Sequence, residues 1–175
     1  NAPEIKKYIK SKYVDLILCL GWSQLLDKEI LEIPRIGSIG FHPAELPMNR
    51  GRHPIIWSLV LGLEKTASTL FLMNEMPDMG KILSQEYIII DYKDDARTLY
   101  DKVMEKAVLQ ISKLIKAINN NLIDFKSNDF VEGNTWRKRN KEDGKIDWRM
   151  SSRGIYNLVR ALTKPYVGAH FVYKD

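Results

Sequence analysis

Between Val14 and Leu20 the chain reads Val-Asp-Leu-Ile-Leu-Cys-Leu and stops at Gly21, an apolar run that holds one charge and does not alternate with polar residues. A strand with one wet face alternates, so a short run without alternation is expected to be buried on both faces, as in a parallel sheet covered by helices. The run falls far short of the roughly 20 apolar residues of a membrane-spanning helix. It therefore requires covering layers, which the remainder of the chain has to supply.

Further elements of the same kind follow. Ile36 to Phe41, Ser68 to Met73 and Ile82 to Ile90 read as strands, the last two separated by a turn over Asn74 to Gly80. Short helices are expected at Pro3 to Lys12, at Lys28 to Ile33 before Pro34, and from about Ile55 to Leu61. A long helix begins near Asp94 and Asp95, acidic residues suited to the positive end of the helix dipole. Its apolar positions Ala96, Leu99, Val103, Ala107, Ile111, Leu114 and Ile118 recur every three or four residues, which makes one continuous stripe for packing. The composition turns polar after Asn119-Asn120-Asn121 until Trp136; a second amphipathic helix starts at Ser151 or Ser152, and a last strand is expected over Val167 to Tyr173. Strands alternating with helices predict an α/β domain with an open, mostly parallel, Rossmann-like sheet, whose ligands bind at the carboxyl ends of strands. The expected division is a catalytic unit over residues 1–121 and a linker with a small appendage over 122–175.

At 175 residues, 45% hydrophobic and 28% charged, the composition suits one folded core and argues against a disordered tail or a membrane protein. Residues 1–12 lack the pattern of a signal peptide, and the single Cys19 provides neither a disulfide framework nor a zinc site, so the cytoplasm is the default compartment. The net charge of +5 favours a phosphate-bearing ligand only mildly. The densest basic run, Arg137 to Lys141, fits a polyanion contact or a solvated loop equally. Neither a Gly-x-Gly-x-x-Gly nor a P-loop pattern occurs.

Of three histidines, His42 follows an apolar strand directly, a position from which an imidazole projects into a strand-end cleft. Asp78 lies in the turn between the third and fourth strands, and a parallel neighbour would bring that turn beside His42. A carboxylate raises an imidazole's pKa and fixes its tautomer, which makes the two a candidate acid–base pair. Glu45 and Glu75 are the other carboxylates near this pattern.

The run Gly37 to Pro47, with Arg50-Gly51 and Pro54-Ile55-Ile56-Trp57, resembles the signature of the 10-formyltetrahydrofolate-dependent formyltransferases. In that family a strand ends in Asn-x-His-Pro, Leu-Pro and Arg-Gly follow, and a helix opens on a Pro-Ile-x-Trp-like segment. Thr66 to Thr69 and Met76 to Leu83 are similar to two further stretches of the family, and the 36 residues from His42 to Asp78 match its spacing. The likeness is good from Val14 to Lys116 and weaker from Lys141 to Leu162. It implies transfer of a formyl group from 10-formyltetrahydrofolate to an amine, with His42 donating to the developing oxyanion and Asp78 holding His42 and relaying the amine proton. It places the folate beside Trp22, Ser23, Gln24, Leu25 and Leu26 and beside the turn with Met76 and Asp78. Arg50, Arg52 and Asn49 are expected at the acceptor, the arginines meeting its phosphate or bracing their loop.

One position departs from the family. Gly40 stands where the family has the Asn of Asn-x-His, so a donor to the formyl oxygen is absent, a loss typically worth about 2.7–4 kcal/mol. A water in the space left, a swing of Asn49 or His53, or a protein that binds without catalysing are the alternatives. An active enzyme is the favoured expectation, because His42, Asp78 and Arg50-Gly51 remain. The family's acceptors include initiator methionyl-tRNA, glycinamide ribonucleotide and nucleotide-linked amino sugars. The modest charge and the end at Asp175 favour the amino sugar over tRNA, and the helix at Ser151 disfavours the purine substrate. The resemblance also implies strands ahead of Val14, so the expectation is an open sheet edge met by a partner chain, by the helix at Pro3, or by further chain, with a homo-oligomer as one outcome.

Overall fold

The computed structural model describes residues 2–120, 122 and 132–174; most of the expected polar linker lies outside the described residues. Four strands form one sheet in the order β1 (Leu16–Cys19), β2 (Gly37–His42), β4 (Lys65–Leu72), β5 (Ile82–Ile89), and a two-residue ribbon pairs β3 (Arg50–Gly51) with β6 (Thr135–Trp136). The open α/β sheet is as expected, and β1 and β2 run parallel. The two remaining pairs are antiparallel; for β4 and β5 the reason is the short connection, since residues 73–81 form a hairpin and leave no length for a crossover helix.

β1 differs from its expected burial. All four of its residues are only half-buried, since among the described strands it pairs with β2 alone and stands at the sheet edge. Helix α1 (Pro3–Ser11) buries none of its residues and so covers no core; Lys6 and Lys10 link it to Asp27 and Glu29 beside α2 (Lys28–Leu31). Such exposed ion pairs are individually weak.

The covering layer on one face is α4 (Ala96–Asn119), about 36 Å long at 1.5 Å per residue. Asp95 caps its start, accepting from the Arg97 and Thr98 amides, while Thr98 Oγ1 accepts from the Asp95 amide. Ala96, Leu99, Val103, Ala107 and Leu114 are buried as the stripe predicts, whereas Ile111 and Ile118 are half-buried. Gln110 is also buried, although polar. Its amide donates to the Ser68 carbonyl at 3.0 Å and to Ser84 Oγ at 2.8 Å, and its oxygen accepts from Ser68 Oγ, so it stitches α4 to β4 and β5 without an unsatisfied atom. The main core joins α3 (Pro54–Val60), α4 and α5 (Ser152–Ala161) with the end of β5, through residues such as Ile56, Leu59, Ile88, Leu99 and Leu158. Each such side chain contributes about 1.5–3 kcal/mol of burial.

Ser151 caps α5. The buried Arg160 donates to the carbonyls of Asp91 and Asp94, tying α5 to the entry of α4. The strand expected over Val167 to Tyr173 is absent. That segment makes one isolated parallel bridge, His170 to Lys145, because only a turn lies beside it, and Phe171 to Tyr173 are exposed.

Candidate active site

The alternation of side chains along β2 puts Gly40 and His42 on one face and Phe41 on the other. His42, at the end of the strand, is 4% exposed. Its Nε2 lies 2.8 Å from the Asn49 carbonyl oxygen. A carbonyl only accepts, so the proton sits on Nε2, which donates to it, and the lone pair of the neutral ring is on Nδ1. Nδ1 faces Asp78, whose Oδ1 is 3.7 Å away.

The structure therefore brings Asp78 to His42, by a different route from the expected one. β4 is antiparallel to β2, so the hairpin springs from the far end of the neighbouring strand and residues 73–78 fold back along the cavity. Asp78 holds a left-handed φ of +57° there, and its Oδ2 accepts the Gly51 amide at 2.9 Å. Gly80 sits where the hairpin crosses β4; a Cβ on it would fall 1.6 Å from the Leu72 carbonyl oxygen, so the fold-back needs glycine.

The loop after His42 is pinned from below. Thr69 Oγ1 donates to the Ala44 carbonyl at 2.7 Å, and Gln85 Nε2 donates to the Leu46 carbonyl at 2.8 Å. It is also pinned from the side by the β3–β6 ribbon, which nothing in the hydrophobic pattern announces. Asn134 Oδ1 accepts the Asn49 amide at 2.8 Å, the Asn134 carbonyl accepts the Arg50 amide at 3.1 Å, and the Trp136 carbonyl accepts the Arg52 amide at 3.0 Å. Gly51 has φ +100°, and a Cβ there would lie 2.2 Å from the Trp136 carbonyl oxygen, so the close approach of the two strands requires glycine.

A cavity of about 440 Å³ opens beside the pair. Trp22 to Leu26 and Met76 to Asp78 line it, with Trp22 and Met76 substantially exposed. Arg52 lines it too, and its Nη1 donates to the Ser23 carbonyl. Arg50 does not reach this cavity. It is 8% exposed, and among the described residues its buried Nε and Nη2 have no hydrogen-bond partner. The Asn49 contribution that the structure records is made by its backbone.

Gly40 lines the same cavity. A Cβ on it would fall 2.7 Å from the Phe71 ring and 2.9 Å from Met73 Cγ, so the room that a larger residue would use is filled by packed side chains. His53, the other substitute considered, caps α3 and accepts the Arg139 amide on Nδ1, 3.3 Å away. It lines a second, more apolar cavity of about 560 Å³ against α4, and is not among the residues around Gly40. Burial first, then the positive charges of Arg52, Lys138 and Arg139, lowers its pKa.

The basic run is a built wall. Trp57 Nε1 donates to the Arg137 carbonyl, and the Arg139 guanidinium lies 4.6 Å from the Trp57 ring centroid. Arg137 forks onto Asp143 and holds that carboxyl well below the usual carboxylate range. Arg137 and Lys138 line the cavity. Charge density alone could not separate this arrangement from a solvated loop; the nearby tryptophans Trp57 and Trp136, stacked with centroids 6.3 Å apart, were the available signal.

An α/β sheet with a histidine–carboxylate pair at a strand end and a mixed polar and aromatic cavity defines a group-transfer or hydrolytic class of site. The formyl transferase family model matches residues 1–115, and the formyl transferase C-terminal domain model matches residues 138–175. The chain belongs to the formyl transferase family. It is 38% identical over 164 residues to the bifunctional polymyxin resistance protein ArnA of Wigglesworthia glossinidia brevipalpis, covering 93% of this chain and 25% of that protein. It is 35% identical over 175 residues to the methionyl-tRNA formyltransferase of Clostridium perfringens, covering all of this chain and 56% of that one. The chain thus spans from a quarter to just over half of these relatives. Among solved structures it resembles a 4-N formyltransferase from Francisella tularensis, with a TM-score of 0.85, 26% identity, and coverage of 99% of this chain and 72% of that one. No helix among the described residues is long and apolar enough to cross a membrane.

Proposed function

We propose that the chain carries a site for moving a formyl group from 10-formyltetrahydrofolate to the amine of a nucleotide-linked amino sugar. The observation that carries this reading is the His42–Asp78 pair, held by the 49–51 loop at the wall of a cavity lined by Trp22 to Leu26 and by Arg52, Arg137 and Lys138. The acceptor class is supported by the likeness to structures described as a 4-N formyltransferase and, from Mycobacterium tuberculosis, a likely sugar N-formyltransferase, the second with a TM-score of 0.81, 26% identity, and coverage of 97% of this chain and 73% of that one.

The residues present fit a folate. Exposed Trp22 and Met76 offer apolar surface to a flat ring, and the 22–26 segment offers main-chain polar groups beside it. The folate supplies the activated formyl group. The chain supplies the proton handling: neutral His42, its Nε2 proton committed to Asn49, takes the proton of the attacking amine on Nδ1, and the Asp78 carboxylate stabilises the imidazolium so formed. That Nδ1–H then becomes the donor to the oxygen on which charge develops, and its proton passes to the folate nitrogen as the bond from that nitrogen to the formyl carbon breaks and tetrahydrofolate leaves. With Gly40 in place of asparagine, this imidazolium carries a larger share of the stabilisation. Arg52 and Lys138 provide positive charge for the acceptor's phosphates; Arg50, a buried residue of the ribbon outside the cavity, is not assigned to the acceptor.

The test is formyl transfer from 10-formyltetrahydrofolate to a panel of UDP- and dTDP-linked amino sugars, with His42→Ala alongside. Turnover that the variant loses supports the reading. Folate binding without turnover of any acceptor overturns it in favour of a binding module. A second reading, methionyl-tRNA formyltransferase, is favoured by the 35% identity across the entire chain, and charged initiator tRNA in the same assay separates the two.

A further inference from the structure

Two neighbouring backbone groups hold the two members of the pair, and one residue 85 positions away in sequence grips that backbone. The Asn49 carbonyl fixes His42 and the Gly51 amide fixes Asp78. On the opposite side, Asn134 brackets the Asn49–Arg50 peptide: its side-chain oxygen takes the amide before that peptide, and its own carbonyl takes the amide within it. The peptide that presents its carbonyl to His42 is therefore held at both ends. Asn49 has φ +63°, a left-handed conformation that an L-residue adopts at a cost unless something holds it. The side-chain atom facing the Asn49 amide must be Oδ1, because the alternative amide orientation would set two donors against each other.

We infer that Asn134 is a positioning residue for His42, acting through the Asn49 carbonyl to keep the imidazole proton on Nε2 and the lone pair of Nδ1 toward Asp78 and the cavity. Its influence on the ring passes through one peptide group. Removing its side chain leaves the Arg50 amide bond intact and releases only the Asn49 amide. Asn49 can then relax from the left-handed region, and its carbonyl is held by the Arg50 amide bond alone, which loosens its grip on Nε2 and lets the neutral ring exchange tautomers. The inference rests on the His42–Asp78 reading for its effect on rate, while its effect on the tautomer stands without it.

The experiment compares the full chain with Asn134→Ala and Asn134→Asp, the latter keeping an acceptor oxygen at the same place. Long-range nitrogen–proton correlation spectra of histidine-labelled protein, with His42→Gln to assign the signal, report the tautomer and need no acceptor substrate. The expected result is an Nε2–H ring in the natural chain and in Asn134→Asp, and a tautomer mixture in Asn134→Ala. With the best acceptor of the sugar panel, kcat falls roughly tenfold to a hundredfold in Asn134→Ala and KM for 10-formyltetrahydrofolate stays unchanged, as expected of a misplaced group. Asn134→Ala with the natural tautomer overturns the inference. If His42→Gln retains turnover, the His42–Asp78 reading fails instead, whatever Asn134 does. Should Asn134→Ala unfold, Asn49→Gly carries the test, since glycine removes the backbone restriction while leaving Asn134 in place; an unaltered tautomer there, with the Asn134–Asn49 contact retained, supports the clamp, and a lost Nε2–H despite that contact overturns it.

Discussion

The two sides of β2 are held in different ways. On the helix side, α4 meets the sheet and the neighbouring helices through many apolar side chains, so no single contact decides the arrangement. On the loop side, His42 and Asp78 meet one three-residue segment through discrete hydrogen bonds, and that segment is itself tied to Asn134 and Trp136. Redundant packing tolerates loss at the expense of stability; a chain of single bonds passes each loss directly to geometry. Core substitutions should therefore move Tm and leave the site's behaviour alone, and loop substitutions should do the reverse.

His42→Ala tests the loop side most severely. Formyl transfer should fall by about 10²–10⁴-fold, the usual worth of a positioned acid–base group, with the thermal transition nearly unmoved; rates close to the natural chain's would remove His42 from the chemistry. Leu99→Ala tests the other side. Leu99 is fully buried, so denaturant unfolding should show a loss of about 2–5 kcal/mol while KM for 10-formyltetrahydrofolate in the folded fraction holds. A changed KM would mean that α4 shapes the site after all. Gly40→Asn spans the two regions: its side chain enters the space of Phe71 and Met73, and overpacking should lower stability by about 1–3 kcal/mol without raising turnover. A hundredfold rise in turnover would show that the missing donor limits this site and that Phe71 yields.

The smallest effect is the titration of His53. Its folded pKa lies below the ordinary value of about 6.5. The unfolded chain therefore binds the extra proton first. Its contribution to stability is fully present above the unfolded pKa and is lost as pH falls from there through the folded pKa. Proton NMR of the ring should show the depressed midpoint, and Lys138→Gln should bring it upward; a midpoint at or above the ordinary value would remove the cationic corner.

Much of this was legible in the chain because its signals are local. His42 and Asp78 are tied to a strand end and a Gly-containing turn, and Asp95 and Ser151 announce helix starts by capping chemistry. What the pattern hid depends on contacts distant in sequence. Gln110 is invisible in an apolar stripe, because its burial is licensed by Ser68 and Ser84, 42 and 26 positions away. The β3–β6 ribbon is two residues per strand, too short for any period, and Asn134 carries no hydrophobic signature at all. The run at Val14 misled in the opposite direction: its lack of alternation spoke for two covered faces, and the described fold leaves β1 half-open at an edge.

Asn49 and Gly51 stand two residues apart on one backbone and hold His42 and Asp78 by a carbonyl and an amide, not by their side chains. The spacing of the pair is thus written into the repeat distance of the polypeptide itself. Any displacement of this one segment therefore reaches both groups at once, one anchored in β2 and the other on the β4–β5 hairpin.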